Sequence, residues 1–320
     1  RNLCVLSVSP MCLCLALPPS ALATGDRFRC SAFLLGSPGA GDRRPISPKA
    51  ASMTKPSAPS NQLPLRRRRR FAVLKTGNAS EYTERTHGGY GQMLARLLSD
   101  GDGDGECWDI FSVVDGDFSF LGRDVGEEGN GYYYDGYVLT GSAADAHATD
   151  VDWINRLCDA LVLLHRQRKK LLGICFGHQI LARALGGRTG RAQVGWELGI
   201  KSLHVDSEKV SQLYGLVLPT NLNAIESHQD QVLIAPPGAV VLASSEKTEV
   251  EMFAVGDHVL GMQCHPEFSV DVIMDIIQSR LSRRIISDEV AKEANVSFEK
   301  SQPDQQLLQG LCKTFLKGCR

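Results

Sequence analysis

Lys169-Lys170-Leu171-Leu172-Gly173-Ile174-Cys175-Phe176-Gly177-His178-Gln179-Ile180 decides how the rest of the chain is read. Lys170 to Ile174 is a short apolar run of strand character, and His178 to Leu185 has helical period, so strand passes into helix through a G-x-C-x-G turn. Gly173 and Gly177 leave room where strand and helix pack closest, and the turn holds Cys175 in the strained position of a nucleophile elbow. The helix amino terminus that follows favours a thiolate. A single cysteine after a strand is ordinarily core packing; the paired glycines give this one a chemical role.

Outward from the turn, short apolar runs alternate with segments of helical period. Strands are expected at Phe71–Leu74, Ile110–Val114, Gly136–Leu139, Lys170–Ile174, Ile200–His204, Asn223–Glu226, Val240–Ala243, Glu251–Val255 and Val259–Gln263. Helices are expected at Tyr90–Leu98, Asp152–Arg168, His178–Leu185, Ser269–Arg283, Asp288–Ala294 and Asp304–Leu316. In the second of these Val151, Ile154, Leu157, Cys158, Leu161 and Leu164 recur at three and four. This alternation predicts an α/β fold, an open, mostly parallel sheet flanked by helices on both faces.

A thiol nucleophile needs a proton carrier, and Met262-Gln263-Cys264-His265-Pro266-Glu267-Phe268 supplies one. It follows an apolar strand and precedes a helix, so His265 and Glu267 fall at a strand's carboxyl end, where open α/β sheets place their sites. His265 can take and return a proton while Glu267 orients the ring and stabilises imidazolium.

G-I-C-F-G-H-Q followed by H-P-E resembles the class I glutamine amidotransferases, and the resemblance implies a Cys175, His265, Glu267 triad acting on a γ-glutamyl amide. It further implies an oxyanion loop at Thr140-Gly141-Ser142-Ala143, with backbone N–H groups of Gly141 or Ser142 and of Phe176 as donors; the family's glycine is kept and its proline is replaced by Ala143. Gln179, His228, Gln229 and Asp230 stand where the family contacts the glutamyl group, Asp230 toward the α-ammonium, while a helix-surface role for Gln179 and a loop cap at Ser227–Asp230 are the plainer alternatives. The segment Val194–Gly199 is a further candidate for the pocket wall. Phe71–Leu74, His87–Tyr90, Trp108–Asp109, Val114–Gly116, Ser227–Asp230, Val250–Phe253 and Gln302–Asp304 narrow the resemblance to the plant gamma-glutamyl peptidases, implying cleavage of glutathione and its S-conjugates in the cytosol.

Composition limits the alternatives. The chain has 320 residues, with 35 Lys and Arg against 36 Asp and Glu. Residues 1–70 hold 12 basic and 2 acidic side chains, leaving the rest acidic, which disfavours nucleic acid as a partner of the fold. No run of 18 apolar residues suggests a membrane span. The 10 cysteines form no C-x-x-C pair, so no structural metal is expected, and neither is a cofactor. Gly101–Glu106 resembles a calcium loop only in its aspartates and reads as solvated.

Two regions are expected: a proline- and glycine-broken extension, 1–70, disordered or lying upstream of a true start at Met53, and one domain, 71–320, whose helical extension occupies about 270–320. The scarcity of acids and the nine serines of residues 1–70 leave a plastid transit peptide as the alternative, and Arg66–Arg70 reads as a solvated arm. No acceptor domain or Walker motif is visible, so the expected substrate is a small γ-glutamyl compound with no obligate protein partner. The rival functions are a glutaminase subunit feeding ammonia to a separate synthetase and, more remotely, a catalytically silent binding protein.

Overall fold

A computed structural model of the chain describes residues 68–101, 105–123 and 133–318. Of the extension expected over residues 1–70, residues 1–67 lie outside the described residues, as do the central residues of the 101–106 loop. The first strand, β1 (Arg69–Lys75), begins two residues earlier than expected. Its arginines are tied into the fold: Arg69 pairs with Glu106 at 3.1 Å and Arg70 with Asp109 at 2.6 Å.

The amino-terminal elements that follow are α1 (Glu81–His87), α2 (Gly89–Leu98), β2 (Glu106–Ser112), the single turn α3 (Phe120–Arg123) and β3 (Gly136–Leu139). The central elements are α4 (Asp152–Arg166), β4 (Lys170–Ile174), α5 (Phe176–Ala184), β5 (Arg188–Arg191), β6 (Glu197–Val205), α6 (Ser207–Tyr214) and β7 (Asn221–His228). Next come β8 (Asp230–Ile234), β9 (Val240–Ser244), β10 (Met252–Val255), β11 (Val259–Met262), α7 (Val270–Ser282), α8 (Asp288–Lys300) and α9 (Gln305–Lys317).

Nine strands form one sheet in the order β2-β1-β3-β4-β11-β10-β9-β6-β7, and β5 and β8 form a separate pair. From β2 to β11 every pairing is parallel, and from β11 to β7 every pairing is antiparallel. The α/β sheet with helices on both faces is therefore as expected, with its parallel half carrying the elbow. Successive strand side chains point to opposite faces: Leu172 joins a core with Leu94, Leu98, Leu311 and Phe315, whereas Leu171 joins one with Ile154, Leu161, Ile180 and Leu181. Thus α2 and α9 cover one face while α4 and α5 cover the other. Through α9 the chain returns to the edge formed by β1 and β2, where Lys317 Nζ lies 2.9 Å from Glu106 and 3.1 Å from Asp100.

Five elements, α1, α3, β5, β8 and α6, differ from the sequence expectation because each is short or lacks a clear apolar period. In α1, Thr83 is buried, and the helix is marked by its Ser80 cap and not by an apolar stripe. Arg188–Arg191 and Asp230–Ile234 are too short and polar to show alternation, and α6 buries only Val210 and Tyr214. The helix after Cys175 starts at Phe176, two residues before its expected beginning, and β2 lies four residues earlier than expected.

The junction between β4 and α5 is the tightest packing near the site. A Cβ added at Gly173 would stand 2.4 Å from the carbonyl group of Gly177, and one at Gly177 would stand 2.7 Å from the Leu139 carbonyl oxygen. These are backbone contacts, so no side-chain rearrangement relieves them. Gly173→Ala is expected to destabilise the domain by about 3 kcal/mol or more, above the ordinary overpacking range; urea unfolding checks this, and a loss below about 1 kcal/mol would show that the sheet and helix can part.

Candidate active site

Three neighbouring parallel strands end at the same level and deliver the parts of the site. Leu139 of β3 is in register with Gly173 of β4, and Ile174 of β4 with Met262 of β11. The next residues of each chain segment therefore meet: the Thr140–Ser142 loop, Cys175, and the Gln263–Phe268 turn. Cys175 N–H donates to the Met262 carbonyl at 2.8 Å, which fixes the elbow against the strand that carries His265.

Cys175 has φ 52° and ψ −102°, an unusual conformation for a residue with a side chain. Such backbone strain costs on the order of 1–3 kcal/mol and persists only where its surroundings enforce it. Here the enforcing contacts are the two glycines and the bond to β11. Phe176 is the first residue of α5, so its N–H has no partner within the helix, and its ring packs on Trp153 with centroids 5.5 Å apart.

His265 and Glu267 are buried beside the thiol. The ring's Nδ1 donates to Glu267 Oε1 at 2.9 Å, and its backbone N–H donates to the Ile225 carbonyl at 2.9 Å. Its face stacks on Phe268, with centroids 4.0 Å apart and planes within 6°. Burial pushes the imidazole pKa down, but Glu267 and the Cys175 sulfur outweigh it and raise the value to about 10. The arrangement therefore holds a proton on the ring between a carboxylate and a sulfur. Cys264, the neighbouring thiol, is fully buried, and desolvation with Glu226 and Glu251 pushes its pKa well up, so it is unsuited to nucleophilic work.

Gly141 lies against this pair: a Cβ there would be 2.9 Å from His265 Cε1 and 3.7 Å from the Cys175 Cβ. Although Ala143 replaces a proline in this loop, the buried hydroxyl of Thr76 lies 2.8 Å from the Thr140 carbonyl oxygen and 3.2 Å from that of Gly141. Ser142 Oγ accepts the Ala144 N–H at 3.1 Å. Side-chain hydrogen bonds thus restrain the loop.

A cavity of about 320 Å³ opens over Cys175 between Ser142, Gln179, Trp196, His228, Asp230 and Arg280. Gln179 is buried, with its amide donating to the Asp230 carbonyl at 2.7 Å and to Gln263 Oε1 at 3.1 Å. The Asp230 carboxylate accepts from Arg191 Nε and has His147 Nδ1 at 3.6 Å, while Gln229 Oε1 accepts from Arg191 at 2.8 Å. Asp230 therefore already has a cationic partner, and burial raises its pKa against that partner's pull. His228 lines the cavity, but its Nδ1 donates to the Asp230 carbonyl at 3.0 Å and its Nε2 points inward toward Glu226.

Arg280 was missing from the sequence reading. Its guanidinium sits over the Trp196 ring at 4.5 Å, donates to Ser227 Oγ at 2.9 Å, and faces the cavity beside Cys175. Desolvation draws its pKa down while the Cys175 sulfur and Tyr90 oppose this. On α7, Arg280 reads as an ordinary last-turn cation, and only the packing of that helix turns it inward.

A family model described as "Glutamine amidotransferase class-I" matches residues 130–279. Gamma-glutamyl peptidase 3 of Arabidopsis thaliana is 40% identical over 257 residues, covering 79% of this chain and 99% of the relative. The chain belongs to the class I glutamine amidotransferase family. Gamma-glutamyl peptidase 4 of the same plant is 41% identical over 240 residues, 74% of this chain and 91% of the relative. Among solved structures, a glutamine amidotransferase from Thermotoga maritima shares the fold, with a TM-score of 0.55, 21% identity, and coverage of 78% of this chain and 99% of that one.

The raised pKa of His265 has a signed consequence. Protonated His265 stabilises the fold fully below its ordinary value of 6.5, and that stabilisation disappears as pH rises through about 10. Glu267→Gln removes the carboxylate that holds the proton. The Tm gap between wild type and Glu267→Gln is therefore expected to be widest near pH 6 and to close toward pH 10; a gap independent of pH over that range would contradict the assignment.

Proposed function

We propose that Cys175, His265 and Glu267 act as a catalytic triad that cleaves the γ-glutamyl bond of glutathione and of its S-conjugates. Membership of the family makes the chain a cysteine hydrolase of γ-glutamyl bonds, and the finer reading rests on the chain's own residues. The Cys175 sulfur attacks the γ-carbonyl, and the developing oxyanion accepts hydrogen bonds from backbone N–H groups at Gly141 or Ser142 and at Phe176, each worth about 3–4 kcal/mol. The tetrahedral intermediate collapses to a thioester as His265 protonates the departing amine of a Cys-Gly conjugate. Water, deprotonated by His265, then attacks the thioester, releases glutamate and returns the proton to the Cys175–His265 pair.

The observation that carries the choice of substrate is Arg280 turned into the cavity, with a second guanidinium, Arg283, also in the wall. Glutamine brings one carboxylate to such a pocket. Glutathione brings two, the glutamyl α-carboxylate and the terminal glycine carboxylate, and its conjugates add bulk that a cavity of about 320 Å³ open to solvent accommodates in part. Gln179, His228, Gln229 and Asp230 are proposed to form the wall that receives the glutamyl group. The cytosol, a reducing compartment, suits an enzyme that depends on a free thiol, and no obligate protein partner is invoked.

Purified wild-type protein and Cys175→Ala, each given glutamine, glutathione and a bulky glutathione S-conjugate, should differ by at least about 10⁴-fold in turnover. The expected products are glutamate and a Cys-Gly species, with little ammonia; ammonia as the dominant product would instead mean a glutaminase. Arg280→Met should raise KM for glutathione roughly 10- to 100-fold, the worth of a hydrogen bond to a charged group, with kcat changed far less. Unchanged KM would remove Arg280 from carboxylate binding.

A further inference from the structure

Beneath the floor of the cavity lies a buried group of ligating side chains, of which only His228 also belongs to the proposed substrate wall. Glu197 opens β6 and His228 closes β7, and the two face each other in the antiparallel register. Glu251, which immediately precedes β10, brings its carboxylate to the same point. One carboxylate oxygen from each glutamate and one ring nitrogen of His228 all lie within 4.8 Å of one another, and all three residues are buried.

The bonding of His228 determines which nitrogen is available. Because Nδ1 donates to the Asp230 carbonyl at 3.0 Å, the neutral ring presents the lone pair of Nε2, the arrangement that a backbone carbonyl imposes on metal-binding histidines. That lone pair is aimed at other acceptors: Nε2 is 3.3 Å from Glu226 Oε2 and 3.8 Å from Glu197 Oε2. A fourth ligating side chain thus converges from outside the first three. Glu226 is fully buried, two residues before His228 on the same face of β7, and neither of its oxygens has a hydrogen bond. Both oxygens of Glu251 and Nε2 of His228 are likewise without one. Glu197 alone is well supplied, with Thr248 Oγ1 at 2.5 Å from Oε2. Buried acceptors facing one another are costly unless a proton or a metal ion lies among them.

We propose that Glu197, His228 and Glu251, with Glu226 alongside, form a binding site for one divalent metal ion that ties β6, β7 and the start of β10 together behind the cavity. One imidazole and several carboxylates suit Zn²⁺, Mn²⁺ or Fe²⁺ better than the all-oxygen preference of Ca²⁺ or Mg²⁺. Three ligands at about 2.1 Å from one ion stand roughly 3.4–3.6 Å apart at tetrahedral to trigonal angles, so binding draws the most widely spaced of these atoms inward by about 1 Å. His228 also lines the cavity, which gives an ion a route to the site. The role is structural: the ion holds the end of β7, from which Gln229 and Asp230 project. The ion takes no part in the bond-making and bond-breaking proposed for Cys175, and acts on it only through the placement of His228, Gln229 and Asp230 in the cavity wall.

The test is metal content of the full-length protein, expressed without a histidine tag and purified without chelators, by inductively coupled plasma mass spectrometry. The expected result is close to one equivalent of zinc, manganese or iron per chain, lost in Glu251→Gln and in Glu197→Gln. Chelation of the wild type should lower its Tm by several degrees, and added Zn²⁺ or Mn²⁺ should restore it, a readout that does not depend on any variant folding. Absence of metal above background together with no Tm response to either ion would overturn the proposal. So would a Glu226→Gln, Glu251→Gln double variant more stable than the wild type, since it would identify the group as carboxylic acids sharing protons.

Discussion

The structure turns on the close approach of two backbones. Where β4 runs into α5, the chain at Gly173 and at Gly177 touches neighbouring main-chain atoms with no space for a Cβ. This contact accompanies a positive φ at Cys175, the residue between the two glycines. Register does the rest: because β3, β4 and β11 are parallel and aligned, the loop at Gly141, the thiol and His265 arrive at one level without any long connection. A shift of one strand by a single residue would reverse the facing of its side chains and dismantle the site.

The two halves of the sheet divide the work. The parallel half ends in the nucleophile and its proton carrier. The antiparallel half, β10-β9-β6-β7, supplies the polar floor, and it gathers buried carboxyl groups there: desolvation pushes both the Glu226 and Glu251 pKa values well up. Packing three glutamates behind a hydrolytic site is expensive for a fold of this size, so the polar floor is a built feature and not residual surface.

Much of this was legible in the sequence because it is local. G-I-C-F-G-H-Q states a strand, a turn and a helix in seven residues, and H-P-E names its partner at a strand end. What escaped the sequence was assembled across distance. Arg280 lies in the last turn of α7, where nothing local marks it, and its place in the cavity comes from contacts with Trp196 and Ser227, distant in sequence. Glu197, His228 and Glu251 are separated by 31 and 23 positions and come from three strand ends, so no spacing rule for metal ligands reaches them. Arg69 and Arg70 ended a basic run that resembled a free arm, yet their acidic partners sit on a neighbouring strand. Thr76 likewise gives the loop at Gly141 a restraint that the missing proline would have suggested was absent.

The return of α9 to β1 bears on how the protein is made. Phe315 and Leu316 complete the core that holds Phe71, Val138 and Leu172, and Lys317 closes the ion pairs at the beginning of the first strand. On the ribosome, then, α2 covers only part of this face of the sheet until α9, about 200 residues later, has left the exit tunnel. Contacts of such long sequence separation form slowly, and a nascent chain with an open apolar sheet is aggregation-prone. The interval between the emergence of α2 and that of α9 is therefore the stretch of synthesis in which this face of the sheet is most open to wrong partners.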